Sequence, residues 1–477
     1  MLLAALALAA DPEVDWIAAA AGQATRDEGV DAFASMAPEA ASRAALMGGC
    51  PTSLLVVECS RDVSSLDVRY DLRPSFTLAA GTLAPDNRSG DTEAGLLSPR
   101  LGLRGAFYAG PFVARFTGAG GIDAIDDVDA AYVIPEAWAG VDTGQGWLGF
   151  GRQDRWLGPG RHGTIALSNN AVAPWMVNGG GDGRLPGVAS KAGRFRGELG
   201  VGWLGEPRTD VANPGLLLMD LRYMPVPQVE IGATRLSIFG GEGRPDVDIG
   251  QLIVPSEPHV YDDPDLVLPD QDELANIHVR VNLPLRKWIG GPVYHVEGWW
   301  EYGGEDMIMR DAGGLEYPAL AGVGNLYGGE VSLRPVVVTA EYSRLMDDYF
   351  RWYVGHRVYH EGFQQDGRVM GHFGGPDSET MWAQVAYWGE GWRGRLWGDW
   401  VHRVGVVEAR NDRLFTFPTA EQGYRGGLAA DVRWQGGWYT LSYELGSVSG
   451  RDFVPGNDAV EHRVLAGLAV GPSLSSN

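Results

Sequence analysis

From residue 65 onward, hydrophobic and polar positions alternate with a period of two. In 424–434, Tyr424, Gly426, Leu428, Ala430, Val432 and Trp434 oppose Arg425, Gly427, Ala429, Asp431 and Arg433. In 438–445, Tyr439, Leu441, Tyr443 and Leu445 oppose Trp438, Thr440, Ser442 and Glu444, and in 277–283 Ile277, Val279, Val281 and Leu283 oppose His278, Arg280 and Asn282. A period of two places alternate side chains on opposite faces of an extended strand. Each segment has one apolar and one charged face, runs about ten residues, and carries aromatics toward its ends, as a membrane barrel strand does with lipid on one side and a polar lumen on the other. A soluble β-sandwich or propeller would bury an apolar face equally well, but gives no reason for so many Trp and Tyr at strand ends.

Strands are predicted near 65–72, 75–84, 97–108, 111–119, 131–141, 145–151, 164–168, 193–204, 215–223, 228–239, 273–284, 293–303, 325–334, 336–345, 380–388, 393–402, 424–434, 437–446 and 460–470. The connections are long at 85–96, 120–130, 152–163, 205–214, 240–272, 304–324, 346–379, 403–423 and 447–459, and tight at 224–227, Pro335, 389–392 and 435–436. Long extracellular loops alternating with short periplasmic turns are the signature of an outer-membrane barrel, and nine long loops imply about eighteen strands. The prediction contains one strand too many; the surplus is the first, unless it continues across Pro74 as one bent strand. The exception to the alternation is 169–192, long where a turn is due. Its Ala173-Pro174-Trp175 and Gly179-Gly180-Gly181 suggest a segment that folds into the lumen or caps it.

The predicted fold is therefore all-β: a single transmembrane antiparallel barrel of about 18 strands over 65–477, with a short helical extension or plug before it and long extracellular loops. Residues 11–64 hold the helical part. Asp11-Pro12 supplies an N-cap and an N1 proline, and a second Ala-rich run over 29–47 ends at Gly48-Gly49. Residues 1–10 read as the apolar core of a secretory signal; the usual preceding basic segment is missing, which leaves the translation start open upstream. In an exported protein, Cys50 and Cys59 are expected to form one small disulfide loop, and no histidine nearby favours a metal pair.

Composition narrows the function. The net charge of −23 argues against nucleic acid, whose phosphates would be repelled. The loop at 346–379 is the richest in chemistry. Its Tyr349, Trp352 and Tyr353 could stack on sugar rings, and Arg351, Arg357 and Arg368, with His360, could grip acidic sugars. The same side chains could equally fold the loop on itself and plug the barrel. His356 and His360 stand four apart, but no carboxylate or cysteine at matching spacing completes a metal site, so no metal or other cofactor is predicted. The acidic loop at 240–272 reads as a solvated face, or one bound to divalent cations that bridge lipopolysaccharide. Asp154, Glu301, Asp347 and Asp399 lie next to or within a few positions of tryptophans, as glycosidase carboxylates do, yet nothing fixes a pair at a useful separation and no G-x-S-x-G turn is present; catalysis is not predicted.

Two blocks carry a resemblance. Over 151–175, Asp154 and Trp156 precede the turn Gly158-Pro159-Gly160, followed by a short hydrophobic run and Leu167-Ser168-Asn169-Asn170-Ala171. Over 359–378, Tyr359-His360-Glu361-Gly362 is followed by Gly371-His372-Phe373-Gly374-Gly375-Pro376-Asp377-Ser378. Together they resemble the signature of the capsule-assembly outer-membrane proteins, the Wzi family, over most of residues 100–450. The resemblance implies an outer-membrane protein of a Gram-negative bacterium, a monomer among outer-membrane lipids and lipopolysaccharide. Its expected role is non-enzymatic and lectin-like, holding exported capsular polysaccharide at the surface. It also implies a barrel occluded by a helical bundle and inward-folded loops. The alternative from another class is a porin or sugar-specific channel.

Overall fold

The computed structural model describes residues 68–81, 98–123, 129–143, 145–184, 192–205, 208–245, 247, 271–311, 316–346, 351–389, 391–410, 413–416, 419–434 and 437–470. The predicted leader at 1–10, the helical segment at 11–64, and Cys50 and Cys59 lie outside them. In chain order the strands begin with β1 (Val68–Gly81), β2 (Ser98–Ala109), β3 (Phe112–Asp123), β4 (Asp129–Asp142), β5 (Gly146–Arg152), β6 (Trp175–Arg184), β7 (Arg194–Trp203), β8 (Gly215–Val226), β9 (Val229–Phe239) and β10 (Gln271–Leu283). A helical turn, α1 (Leu285–Ile289), leads to β11 (His295–Asp311), β12 (Glu316–Ser332) and β13 (Val336–Leu345). The two-residue strands β14 (Gln364–Gln365) and β15 (Arg368–Val369) follow, then β16 (Ser378–Gly389) and β17 (Trp392–Arg403). The chain continues through β18 (Val406–Arg410), β19 (Arg413–Thr416), β20 (Glu421–Trp434), β21 (Gly437–Ser449) and β22 (Ala459–Val470).

Eighteen of these form one antiparallel sheet; β14 with β15 and β18 with β19 are small hairpins within loops. Each sheet strand pairs with its neighbours in sequence, and β22 returns to β1, from Ser75 opposite Ala469 to Gly81 opposite Arg463. The sheet thus closes on itself, which removes the unpaired strand edges that a membrane cannot tolerate. The hairpins close tightly at one end, as at Ala109 opposite Phe112 and Gly389 opposite Trp392. Most connections at the other end are longer, as between β5 and β6 and between β9 and β10, so that end faces outside by the usual orientation.

The predicted strand number holds, and the first two predicted strands join across Pro74 as the alternative reading had it, although three other parts of the prediction do not hold. Pro74 sits inside β1 opposite Leu103, so 68–72 and 75–81 belong to one strand. The 164–168 segment makes no sheet strand; a single bridge, Leu157 to Leu167, is its only pairing among the described residues. The 169–192 segment contains β6, a true barrel strand, rather than a cap. Its Gly179, Gly180, Gly181 and Gly183 erase the apolar alternation by which a strand is recognised. The region 304–324 is also mostly strand, the outer ends of β11 and β12.

The two faces follow the predicted parity. Leu428, Val432, Leu441, Leu445 and Ile277 are exposed on the outer surface, while His278, Arg280 and Asp431 are buried inside. Aromatics mark both rims of the outer face. Phe150, Trp175 and Trp203 stack at the long-loop end with centroids 5.8 and 6.1 Å apart, and Tyr387 stacks on Trp392 at 4.6 Å at the tight-turn end. Such girdles sit at the two membrane–water interfaces.

Candidate functional site: two loops seated in the lumen

The inner wall formed by β8–β13 changes character along its length. Toward the long loops it presents Leu216 and Leu218 from β8, Leu236 and Ile238 from β9, Leu274 from β10, Leu326 from β12 and Leu345 from β13, all fully buried. A water-filled lumen is normally polar, so this apolar wall needs a cover. The segments 153–174 and 351–377 supply it. Leu157, Ile165, Leu167, Trp352, Tyr353, Tyr359, Phe363 and Met370 join the same buried cluster.

Two inward carboxylates hold the first loop. Glu301 Oε1 on β11 accepts from the Thr164 hydroxyl at 3.0 Å, from the Ile165 amide at 3.0 Å, and from Asn276 on β10. The Glu341 carboxylate on β13 accepts from three consecutive backbone amides, those of Arg161, His162 (2.8 Å) and Gly163 (3.1 Å). Consecutive N–H groups pointing at one anion form a nest, and charge-assisted bonds of this kind are the strong ones. Around them the His162 ring lies flat on Trp382, 4.6 Å between centroids and 8° apart, and Arg161 sits 5.2 Å over Trp299.

The motif residues build this turn. Trp156 donates its indole N–H to the Gly160 carbonyl at 2.9 Å, and the Thr164 hydroxyl shares its one proton between Glu301 and the Leu157 carbonyl 2.8 Å away. Gly158 and Gly160 are small because the turn is folded tightly: a Cβ would lie 1.9 Å from the Thr164 hydroxyl or the Gly163 carbonyl, respectively. Pro159 and Leu167 are buried between the loops, and Asp154 and Asn169 are half-buried at the edge of the turn. The second block docks on the first. The Ser168 amide donates to the Met370 carbonyl (2.8 Å), its hydroxyl to Gly371 (2.5 Å), and the Asn170 amide side chain to Val369 (2.9 Å). His372 donates its backbone N–H to the Tyr353 hydroxyl at 3.0 Å, and Ser378 closes the segment by donating to Gly375 at 2.9 Å.

Toward the tight turns the wall is ionic. A ladder runs from Asp220 to Arg222 (2.9 Å), on to Glu230 (3.6 Å), to Arg280 (3.0 Å) and to Glu297 (3.4 Å). His278 meets Glu230 at 3.3 Å and His295 meets Glu330 at 2.9 Å. Arg161 of the first loop reaches down to Glu297, and lies 4.0 Å from Glu330, so loop and ladder are one network. Buried charges persist only when paired in this way.

The sugar-contacting candidates separate into two groups. Trp352 and Tyr353 are fully buried, their rings covered by the loop core. Neither ring has a free face in this structure to offer the sugar stacking expected of them. Burial also raises the Tyr353 phenol well above its ordinary value. Arg357 and His360 are exposed at the loop tip, Arg351 and Arg368 are half-exposed, and Tyr349 lies outside the described residues. Arg351 meets Asp377 at 3.5 Å, and the Trp352 amide donates to the same carboxylate at 3.2 Å. Burial nonetheless pushes the Asp377 carboxyl up to about 6. A neighbouring clamp ties loop 204–214 to the tip: Arg208 pairs with Asp210 at 2.9 Å, and the Asp210 carboxylate accepts from the Glu361 amide at 2.8 Å. Burial pulls Asp210 up, but these hydrogen bonds outweigh it and hold the carboxyl below its usual range.

His356 and His360 do not share a helix face. The segment is a turn in which His356 Nδ1 accepts from the amides of Val358 and Tyr359. Among the described residues no group of three or more His, Cys, Asp and Glu is placed to hold a metal ion. Most of the acidic stretch at 240–272, and Asp347, lie outside the described residues. Sequence reasoning missed Glu341 and Arg161 altogether. The one available signal was the Leu216-Leu217-Leu218 run in β8, apolar on both faces where a water-facing wall would alternate.

Comparison with known proteins gives a family and a fold. The model of the family described as capsule assembly protein Wzi matches residues 98–393. No curated protein matches the chain by sequence. Among solved structures, Wzi of Escherichia coli, "an Outer Membrane Protein Involved in Group 1 Capsule Assembly" and "a Carbohydrate Binding Beta-Barrel", superposes with a TM-score of 0.67 at 17% identity, covering 99% of this chain and 100% of that one. The outer-membrane protein OprD of Pseudomonas aeruginosa gives a TM-score of 0.49 at 9% identity, covering 86% and 95%. OccD3 of the same organism gives 0.48 at 10% identity, covering 85% and 92%.

Proposed function

The chain belongs to the Wzi capsule assembly family, and from that premise we propose that it is a non-enzymatic outer-membrane protein that binds capsular polysaccharide and retains it at the cell surface. The observation that carries this reading is the seating of both family blocks in the lumen, where they cover an apolar wall and tie into buried carboxylates. Loops seated on the inner wall in this way bring the loop surface, rather than a bare channel wall, to the outer end of the barrel. The basic side chains at that surface, Arg351, Arg357, His360 and Arg368, are the groups that would meet an acidic glycan, with Arg forks matching uronate carboxylates. The buried Trp352 and Tyr353 act as the anchors that hold those side chains in place. Each contact is weak, and repetition along one polymer raises the overall hold.

The test is deletion of the gene in its own host, followed by measurement of polysaccharide on cells and in the medium. Equal total polymer with a larger released share supports retention. Unchanged retention overturns it. In the deletion strain, a copy carrying Arg357→Ala and Arg368→Ala is expected to restore folded barrel but only part of the retention.

A further inference from the structure

Among the described residues, one inward tryptophan of the barrel wall keeps an open face. Trp397 on β17 points into the lumen, since Leu396 beside it is 61% exposed on the lipid side while Arg393 and Asp399 are buried inside. Its ring lies face-on across Gly427 of β20: a Cβ there would stand 2.7 to 2.8 Å from three of the ring atoms. Trp138, Trp147 and Trp299 lie on Gly149, Gly180 and Gly328 in the same manner, and all three are buried. Arg196 stands 4.7 Å over Trp147, Arg161 stands 5.2 Å over Trp299, and Trp138 donates its N–H to Asn178 at 2.9 Å. Trp397 has no such cover. It is half-buried, and among the described residues no ring or cation stands over it and its indole N–H meets no acceptor.

The groups around that ring are polar, and their charges are matched. Gln384 of β16 lies directly opposite Trp397, one strand spacing of about 4.8 Å away. It is half-buried, and its side-chain amide has no hydrogen-bond partner among the described residues. Three ion pairs line the same wall: Asp399 with Arg425 at 3.2 Å, Arg393 with Asp431 at 2.6 Å, and Glu444, opposite Gly427 on β21, with Arg463 at 3.5 Å. The next row toward the long loops is already covered, Trp382 by the His162 ring and Arg425 by Phe373, 6.0 Å away. The open ring thus lies just beneath the seated loops. A flat aromatic face edged by an amide and by carboxylate–guanidinium pairs suits a ring that has one apolar face and a rim of hydroxyls. Paired charges give no preference for an anion, unlike the basic side chains of the loop surface.

We propose that Trp397 and Gln384, with Asp399, Arg425 and Glu444 at the rim, form a luminal binding site for the pyranose ring of a neutral saccharide. The open face of Trp397 would take the apolar face of the sugar, and the Gln384 amide, donor and acceptor at once, would bond two adjacent hydroxyls. This rests on the carbohydrate-binding half of the function proposed above, and adds a second site of different charge beneath the loops. Retention is read on cells and this site on purified protein, so that either can fail alone.

The test is saturation-transfer NMR on the full chain, purified in dodecyldimethylamine oxide, a detergent without sugar. The probes are methyl α-glucopyranoside, methyl β-galactopyranoside and glucuronate. Transfer to at least one of the two glycosides is expected, with glucuronate bound no more tightly. Trp397→Ala should weaken glycoside binding about tenfold, the value of one aromatic stacking contact. Gln384→Ala should weaken it about fivefold through lost hydrogen bonds. Trp397→Phe, which keeps a ring, should fall between wild type and Trp397→Ala. Leu396→Ala, next in sequence but on the lipid face, is the control and should leave binding in place. Resistance of each variant to unfolding in dodecyl sulfate on a gel establishes that the barrel is intact. Absence of transfer to both glycosides would overturn the proposal, as would equal binding by wild type and the Trp397→Ala variant. So would tighter binding of glucuronate than of either glycoside, since that describes a cationic site.

Discussion

The hydroxyl of Tyr353 donates to the carbonyl of Ile165 at 2.7 Å, and so joins the tip-bearing loop to the turn held by Glu301 and Glu341. The same oxygen accepts the His372 backbone N–H. Tyr353→Phe removes both bonds without changing the packed volume. Leaving buried polar groups without partners costs about 1–3 kcal/mol. The expected result is a lower thermal midpoint by near-ultraviolet circular dichroism with unchanged strand content. An unaltered midpoint would show that the two loops are not coupled through this residue.

Glu301 and Glu341 are the fixed points of the first loop. Replacing both with alanine takes away the acceptors for Thr164, Ile165, Arg161, His162 and Gly163 at once. In planar bilayers the wild type is expected to pass no steady current, and the double variant to show flickering conductance as the loops leave their seat. A folded double variant that stays electrically silent would mean that the apolar contacts alone retain the loops.

Glycine size sets the turn. A Cβ at Gly163 would stand 2.2 Å from the His372 ring, whereas one at Gly183 in β6 meets nothing within 4 Å. Gly163→Ala should cost about 1–3 kcal/mol through overpacking, read as a lower urea midpoint. Gly183→Ala serves as the matched control and should leave that midpoint in place. Equal effects at the two positions would argue against steric closure of the turn.

Asp377 gives the loops a pH dependence of definite sign. Its carboxyl is raised from 3.8 to about 6 by burial, with the Trp352 amide and Arg351 pulling against that shift. The folded state therefore keeps a proton that the unfolded chain gives up. The associated stability is complete below pH 3.8 and is lost as pH rises through about 6. Asp377→Asn keeps an acceptor for Trp352 and suits the left-handed backbone there, with φ of 49°. It should match the wild type in acid and exceed it above pH 7 by on the order of 2 kcal/mol. Parallel melting curves across pH 4–8 would rule this out.

Strand number and face were legible because lipid on one side and charge on the other write a two-residue period, as in 277–283 and 424–434. The period fails where a side chain is absent. β6 was hidden by four glycines, while the Thr164-Ile165-Ala166-Leu167 run looked like a strand because burial on all sides also selects apolar residues. The aromatics of 351–363 carried a similar ambiguity. Composition alone cannot distinguish a ring that faces a sugar from a ring that packs a loop, and Trp352 and Tyr353 are buried in the loop core. The pairing of Glu341 with the amides of Arg161, His162 and Gly163 was beyond reach, since it joins groups 178–180 residues apart through backbone atoms that every residue possesses.

That separation also bears on how the protein comes into being. Ser168 and Gly371, bonded across the lumen, are 203 residues apart, and contacts of such long range are slow to form because the chain between them must first be ordered. A nascent barrel has neither seat nor partner for the 153–174 segment until β8–β13 stand in place. The first loop must therefore wait, with Ile165 and Leu167 uncovered, through much of insertion. Aggregation during biogenesis is thus a hazard concentrated in one short stretch, and a periplasmic holding factor would have its greatest effect there.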